Sequence, residues 1–462
     1  MHTFVSDTRR LGRPGLLALV IAFAAAVLLA GGAAAGKKHA FVAPAPFHRV
    51  PAGVKALSFP PDTNYCLTNF GIHCYQPAQL QKAYDVGPLL AHHIDGHGQT
   101  IVIVDSFGSP TIKNDLHQFD QTFGLPDPPS LKVYQPAGPV PPFDSSDGDM
   151  TGWAEETTLD VEWSHVFAPG ANIVVLETPV SETEGVTGFP EIVQAENWAI
   201  NHNIGDVITM SFGATEQTFP NAQSLFNLRG AFINAARHHV ALLSSSGDAG
   251  ATDYELNLED LYPFRVTSWP TSDPLVTSIG GTQLTLDENG NRLQPDVVWN
   301  DGYGAGGGGR SIFFSRPNFQ DSVRHVVHHR RGDPDISMSA AVDGGVVVYY
   351  SFADDFAAPG YHIFGGTSES SPEFAGVVAL ADQINHGRIG DLNQALYDLR
   401  GPHDGIVDVT QGDNSVTFEN SDNNTYTVNG FQAKPGYDLS SGLGTVDVAR
   451  FAPALAAVGR FH

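Results

Sequence analysis

GQTIVIVDSFG (residues 98–108) is a run of β-branched apolar residues that ends in a glycine turn. Such a run, lacking polar alternation, predicts a strand buried on both faces, as in a parallel sheet. Three further runs share the pattern: ANIVVLE (171–177), DVITMSFG (206–213) and VALLSSSGD (240–248). Between them, PEIVQAENWAINHN (190–203) and AQSLFNLRGAFINAARHH (222–239) place apolar residues at three- and four-residue spacing, which predicts helices. Strand and helix therefore alternate, and the expected fold class is α/β, a parallel sheet with helices on both faces. No fixed-period repeat is visible and no second boundary follows residue 65, so one large domain over 65–462 is expected.

The 462 residues carry 24 Lys and Arg against 50 Asp and Glu, a formal net charge of −26 at pH 7, which argues against a general nucleic-acid binder. A hydrophobic fraction of 42 %, with 28 Phe and 13 Tyr, supplies a large core and excludes a disordered acidic tail. Two cysteines, Cys66 and Cys74, exclude a disulfide scaffold and a Cys-rich zinc fold. Arg9, Arg10 and Arg13 precede an apolar stretch from Leu16 to Ala30 and the small triplet Ala33-Ala34-Ala35. This is the pattern of a signal peptide over residues 1–35. A retained anchor is the alternative, since Gly15 to Ala35 just reaches the ~20 residues a helix needs to span a membrane. The small-residue ending favours cleavage, so a secreted, extracellular protein without stable membrane association is expected. Outside the cell Cys66 and Cys74 can close a small structural disulfide loop. Residues 36–64, rich in Pro, Ala and Lys, read as a linker or N-terminal arm.

The segment richest in chemistry is GGTSESSPEFAGVVALADQI (365–384), where a Gly-Gly turn delivers Thr367 and Ser368 just ahead of an apolar helix opened by Pro372. Ser368 is then expected at a helix N-terminus, where free N–H groups and the helix dipole stabilise negative charge. A nucleophilic serine belongs there, and so does a serine cap on an ordinary buried helix. A nucleophile needs a base. Asp105, at the end of the first strand, would suit a subtilisin-type site, but no histidine opens a following helix: His97 precedes the strand and His165 lies within a helical pattern. Instead, EETTLDVEWSHVFAPGANIVV (155–175) follows, in which Glu156 and Asp160 are four apart and share one helix face. Such pairs are also common on solvated surfaces.

GGTSESSP around Ser368, the ExxLD of Glu156–Asp160 followed by APGA (168–171), and SSSGDAGA (244–251) together resemble the sedolisins, or serine-carboxyl peptidases. SFG (211–213), VTSIGGT (276–282), VVWN with the Gly-rich stretch and RPNFQ (297–320), PDIS (334–337) and GYDLSSGLGT (436–445) extend the likeness in family order from about residue 75 to 447. The resemblance implies a subtilisin-like fold and an endopeptidase acting on protein or peptide substrates. Ser368 would be the nucleophile, Glu156 its general base, Asp160 the residue that orients Glu156 and shares its proton, and Asp248 a protonated donor in the oxyanion hole. A carboxylate with a pKa near ~4.3 still accepts a proton where a histidine near ~6.5 is already charged, and a carboxyl donates only while neutral, so an acidic working pH is expected.

The resemblance also implies one Ca²⁺ ion, held by the side chains of Asp408 and Asp438 and the carbonyls of Val409, Lys434 and Gly436, from VDVT (407–410) and KPGYD (434–438). Lys434 stands where glycine is usual, and a long polar stretch (411–430) separates the two halves. The family normally carries a long propeptide; with residues 36–64 alone between the predicted cleavage point and the domain, this protein is expected to fold without a large one. A monomer is expected. The GxGxxG within GYGAGGGG (302–309) lacks the helix start and downstream acid of a dinucleotide site, and the family likeness makes it the wall of a substrate groove. RHVVHHRR (324–331), His92, His93 and His97 read as solvated surface rather than metal ligands. A histidine-based subtilisin relative, and a catalytically silent calcium- or peptide-binding protein on the same fold, are the alternatives.

Overall fold

The computed structural model describes residues 56–352, 359–399 and 401–460 together with the strand backbone of His48–Arg49, all within one compact unit, Val42–His462. The predicted signal segment and residues 36–47 of the arm lie outside the described residues. In chain order the main elements are β1 (Thr100–Ser106), α1 (Ile112–Phe123), β2 (Leu131–Tyr134), α2 (Gly148–Phe167), β3 (Asn172–Thr178), α3 (Phe189–Asn201), β4 (Val207–Met210), α4 (Gly230–Arg237), β5 (Ala241–Ser245), β6 (Thr277–Gln283), β7 (Val297–Val298), β8 (Ile336–Ser339), α5 (Thr367–Asn385) and α6 (Val448–Gly459). The four apolar runs of the sequence become β1, β3, β4 and β5.

These strands form an eight-stranded sheet in the order β7-β6-β5-β4-β1-β3-β2, with β8 also on β6. All pairs are parallel except β6–β7. Because side chains alternate along a strand, Ile101, Val207, Ala241 and Leu243 join the core that holds α2, α5 and α6. Val102, Val104, Ile208 and Leu242, at the alternate positions, join a second core with α3 and α4. Helices thus cover both faces, as expected. The sheet is a rigid platform whose carboxyl edge carries Asp105 at the end of β1, Ser211 after β4 and Asp248 after β5. Open α/β sheets place ligands at that edge.

Three local expectations change. The helical pattern over 222–239 breaks into Ala222–Phe226 and α4, because Asn227 closes the first piece and the Arg229 side chain turns aside to pair with Asp273 at 2.6 Å. Residues 56–64 belong to the fold rather than to a free arm: Leu57 exchanges backbone hydrogen bonds with Tyr361, and the Asp62 carboxylate caps the helix Thr63–Asn69. Arg331 is no part of a solvated basic loop; it is fully buried against Asp335, whereas His325, His328 and His329 are exposed. Cys66 and Cys74 form a disulfide. No helix among the described residues is long and apolar enough to cross a membrane.

Candidate active site

α5 begins earlier than the sequence suggests. Its first residue is Thr367, so Ser368 lies in the first turn and Pro372 inside the second. Lacking an N–H, Pro372 cannot bond the carbonyl of Ser368 four residues back. The turn into the helix depends on Gly366, whose φ of 141° is left-handed territory that a side chain would make costly. From there Thr367 fastens the start of α5 to the loop after β5. Its N–H and its hydroxyl both donate to Asp248 Oδ1, at 2.7 and 2.8 Å, and the Gly247 N–H donates to Thr367 Oγ1 at 3.0 Å. Asp248 is thereby held one residue from Ser368.

α2 supplies the opposite wall. Asp147 caps it by accepting the N–H groups of Asp149 and Met150. Glu156 and Asp160 do share a face, but that face is turned inward: both are completely buried, as is Ser368. The solvated-surface alternative therefore falls away. Asp160 Oδ1 accepts the Ser211 hydroxyl at 2.9 Å. Ser368 Oγ and both Glu156 oxygens lie outside full hydrogen-bond geometry, yet close enough for the hydroxyl to favour the Glu156 carboxylate. Catalytic hydrogen bonds are often this loose before substrate binds.

Burial dominates the electrostatics. It pushes Glu156 well above its ordinary range, the charge of Asp105 adds to this, and the Ser368 hydroxyl opposes it. Asp160 is raised by burial, then by Asp105 and Glu156, with Ser211 opposing. Asp248 is raised by burial in spite of its bonds from Thr367. Asp105, whose role the sequence left open, is raised to about 7 by burial, with Thr157 opposing and Glu177 adding, and its charge acts on both Glu156 and Asp160. It is a fourth acid of this site. Its position at the carboxyl end of a central strand is the signal that marks it.

Among the described residues no imidazole joins this group. His165, on the same helix as Glu156, is buried against Asp120 at 3.3 Å and the Pro126 carbonyl at 2.8 Å. His92, His93 and His97 are exposed. The Gly-rich stretch packs against the Asp248 loop: Ala305 N–H donates to the Asp248 carbonyl at 2.9 Å and Gly307 N–H to that of Gly247 at 2.7 Å.

The two halves of the expected cation turn meet. Asp408 accepts the Gly436 N–H at 2.9 Å and Asp438 the Lys434 N–H at 2.8 Å. After burial, the Asp438 charge raises the Asp408 pKa, so two acids crowd together in a way a hard cation would relieve. Among the described residues no three His, Cys, Asp or Glu groups cluster as a metal site. A cation here would take its remaining oxygens from backbone carbonyls, which the expected Val409, Lys434 and Gly436 can offer.

Residues 149–395 match the model of the subtilase family. The chain is similar to kumamolisin of Bacillus sp. (strain MN-32), 30 % identical over 389 residues that cover 82 % of this chain and 63 % of that protein. It is 29 % identical over 406 residues to sedolisin of Pseudomonas sp. (strain 101), covering 84 % and 62 %. The chain therefore spans somewhat less than two thirds of the length of these relatives. Among solved structures, Pseudomonas sedolisin, a serine-carboxyl proteinase complexed with two molecules of pseudo-iodotyrostatin, superposes with a TM-score of 0.67 at 26 % identity, over 84 % of this chain and 99 % of that one.

Proposed function

For a chain that belongs to the subtilase family, and within it to the sedolisin and kumamolisin peptidases, we propose the activity of a secreted endopeptidase that hydrolyses protein or peptide substrates in acid. The observation that carries this reading is the convergence of Ser368, Glu156, Asp160 and Asp248, all buried, with carboxyls where a subtilisin-type site would need an imidazole. Glu156 takes the Ser368 proton as Oγ attacks the scissile carbonyl. The negative oxygen that forms accepts a hydrogen bond from the neutral carboxyl of Asp248. Glu156 then gives its proton to the leaving amine. Water, deprotonated by Glu156, releases the acyl group from Ser368.

Glu156, Asp160 and Asp105 are close enough to titrate as one group, so a single negative charge can reside on them while the others stay protonated. Asp160 and Asp105 thus act by holding protons next to the base. Acidic conditions keep Asp248 neutral, and that sets the expected upper pH limit. Ca²⁺ on Asp408, Asp438 and the carbonyls of Val409, Lys434 and Gly436 would brace the C-terminal turn and take no part in the chemistry. Secretion is supported by the charged-apolar-small pattern of residues 1–35 and by the Cys66–Cys74 disulfide.

The test is cleavage of an unfolded protein between pH 3 and 8 by wild type, Ser368→Ala and Glu156→Gln. Cleavage that peaks in acid and disappears in both variants is the expected result. A neutral optimum that survives Glu156→Gln would move the base elsewhere. No cleavage at any pH by a folded, calcium-supplied protein would favour the silent binding protein.

A further inference from the structure

The polar stretch 411–430 does not wander between the two halves of the cation turn. It folds into an antiparallel hairpin, Val416–Glu419 with Thr425–Val428, whose base is closed by Asn414. Asn414 is completely buried. Its Oδ1 accepts the Phe431 N–H at 2.7 Å from the returning strand, and its Nδ2 donates to the Gly306 carbonyl at 3.1 Å. Its own carbonyl accepts the Ala251 N–H at 3.0 Å. One residue therefore holds three segments together: the hairpin base, the Gly-rich wall and the loop that follows Asp248.

Those last two segments frame Asp248. Ala305 N–H bonds the Asp248 carbonyl, Gly250 N–H bonds the Ala305 carbonyl at 2.8 Å, and the Ser246 hydroxyl bonds the Gly307 carbonyl at 3.0 Å. Asn414 reaches across this ladder, touching Gly306 on one side and Ala251 on the other. The fit is close. Gly250, at φ 71°, lies so near that an added Cβ would stand 2.7 Å from the Asn414 carbonyl oxygen. The rest of the hairpin reinforces the same loop: Arg265 donates to the carbonyls of Asn429 and Gly430 at 2.6 and 3.0 Å, Leu261 N–H donates to Asn420 Oδ1 at 3.0 Å, and Ser421 N–H donates to Asp260 at 2.6 Å.

We propose that Asn414 is a positioning residue for the oxyanion donor: by locking the Asp248 loop to the Gly-rich wall, it fixes where the Asp248 carboxyl stands relative to Ser368. The inference rests on the reading of Asp248 given above. It follows from the steepness of catalysis with distance, since a displacement of about 1 Å at a reacting group can cost ~10²-fold. Asn414 acts through Asp248 and touches no substrate, so its removal should lower kcat and leave KM nearly unchanged.

The test is a double-mutant cycle on the full chain. Asn414→Ala should lower kcat about tenfold in the wild-type background, with KM within about twofold. In an Asp248→Ala background it should change kcat by less than about twofold, because the group it positions is gone. Asn414→Asp should recover most of kcat in acid, where its protonated carboxyl can accept from Phe431 and donate to Gly306. It also supplies a folded variant if the alanine protein unfolds. An equal loss of kcat in both backgrounds, or a rise in KM with kcat preserved, would overturn the proposal and leave Asp248 as donor. Full kcat in Asp248→Ala alone would overturn the oxyanion reading and the proposal together.

Discussion

Two regions of the molecule bury carboxylates in opposite ways. Asp335 is completely buried with the Arg331 guanidinium at 2.5 and 2.8 Å, the Tyr397 hydroxyl at 2.8 Å and the Ser278 N–H at 2.8 Å. Glu156 and Asp160 on α2, and Glu369 and Glu373 on α5, are buried as deeply. Among the described residues no ion pair reaches any of these four. Charge compensation keeps a buried acid ionised, whereas burial without it keeps the acid protonated. The first arrangement braces the fold. The second raises the carboxyls and lets neighbouring ones share protons, as the proposed chemistry requires of Glu156 and Asp160, at the cost of stability when the pH rises.

The comparison is broken most severely by removing the cation. Arg331→Met leaves Asp335 buried and uncompensated, and should cost about 3–5 kcal/mol at pH 7 by urea unfolding. A loss below about 1 kcal/mol would mean that the pair contributes little beyond a surface ion pair and does not compensate a buried charge.

The uncompensated acids make stability depend on pH. Glu196 on α3 is fully buried, and burial alone raises it to about 8. An acid raised in the folded state leaves stability intact below its unfolded value near ~4.3 and removes it as pH climbs toward the folded value. The protein should therefore be less stable at pH 7 than at pH 4. Glu196→Gln should narrow that difference by roughly 3–4 kcal/mol. A gap between the two pH values that is no smaller in the variant would show that Glu196 gains a partner in solution.

The smallest expected effect belongs to the crowded pair of exposed Asp408 and buried Asp438. Added Ca²⁺ should raise Tm, and a chelator lower it, by about 2–4 °C, and Asp408→Asn should abolish the response. Chelation without any shift would remove the ion from the account.

How much of this was legible in the sequence depends on which interactions leave a local trace. β1, β3, β4 and β5 could be read directly because strands buried on both faces are continuous apolar runs. The spacing of Glu156 and Asp160 put them on one face, but a period cannot tell an inward face from a solvated one, and only the packing of α5 on α2 decides it. Pro372 marked α5 but misplaced its start, since Gly366 and the Asp248–Thr367 bonds set the first turn. Arg331 read as a surface cation because its partner chemistry, Asp335 and Tyr397, is brought to it by the fold. Asn414 and its hairpin left no signal beyond polarity: their meaning lies in bonds to Gly306 and Ala251, more than a hundred residues away.

The central claim is that burial keeps Asp248 neutral so that it can donate to the oxyanion, and the most direct measurement is kcat/KM against pH for wild type and Asp248→Asn. Ionisation of Asp248 should end wild-type activity as pH rises, while an amide is neutral at every pH. The account predicts that Asp248→Asn is slower in acid but holds its remaining activity to higher pH, with the descending limb moved upward. A descending limb at the same pH in both proteins would contradict it, because the group that limits activity would then be something other than Asp248.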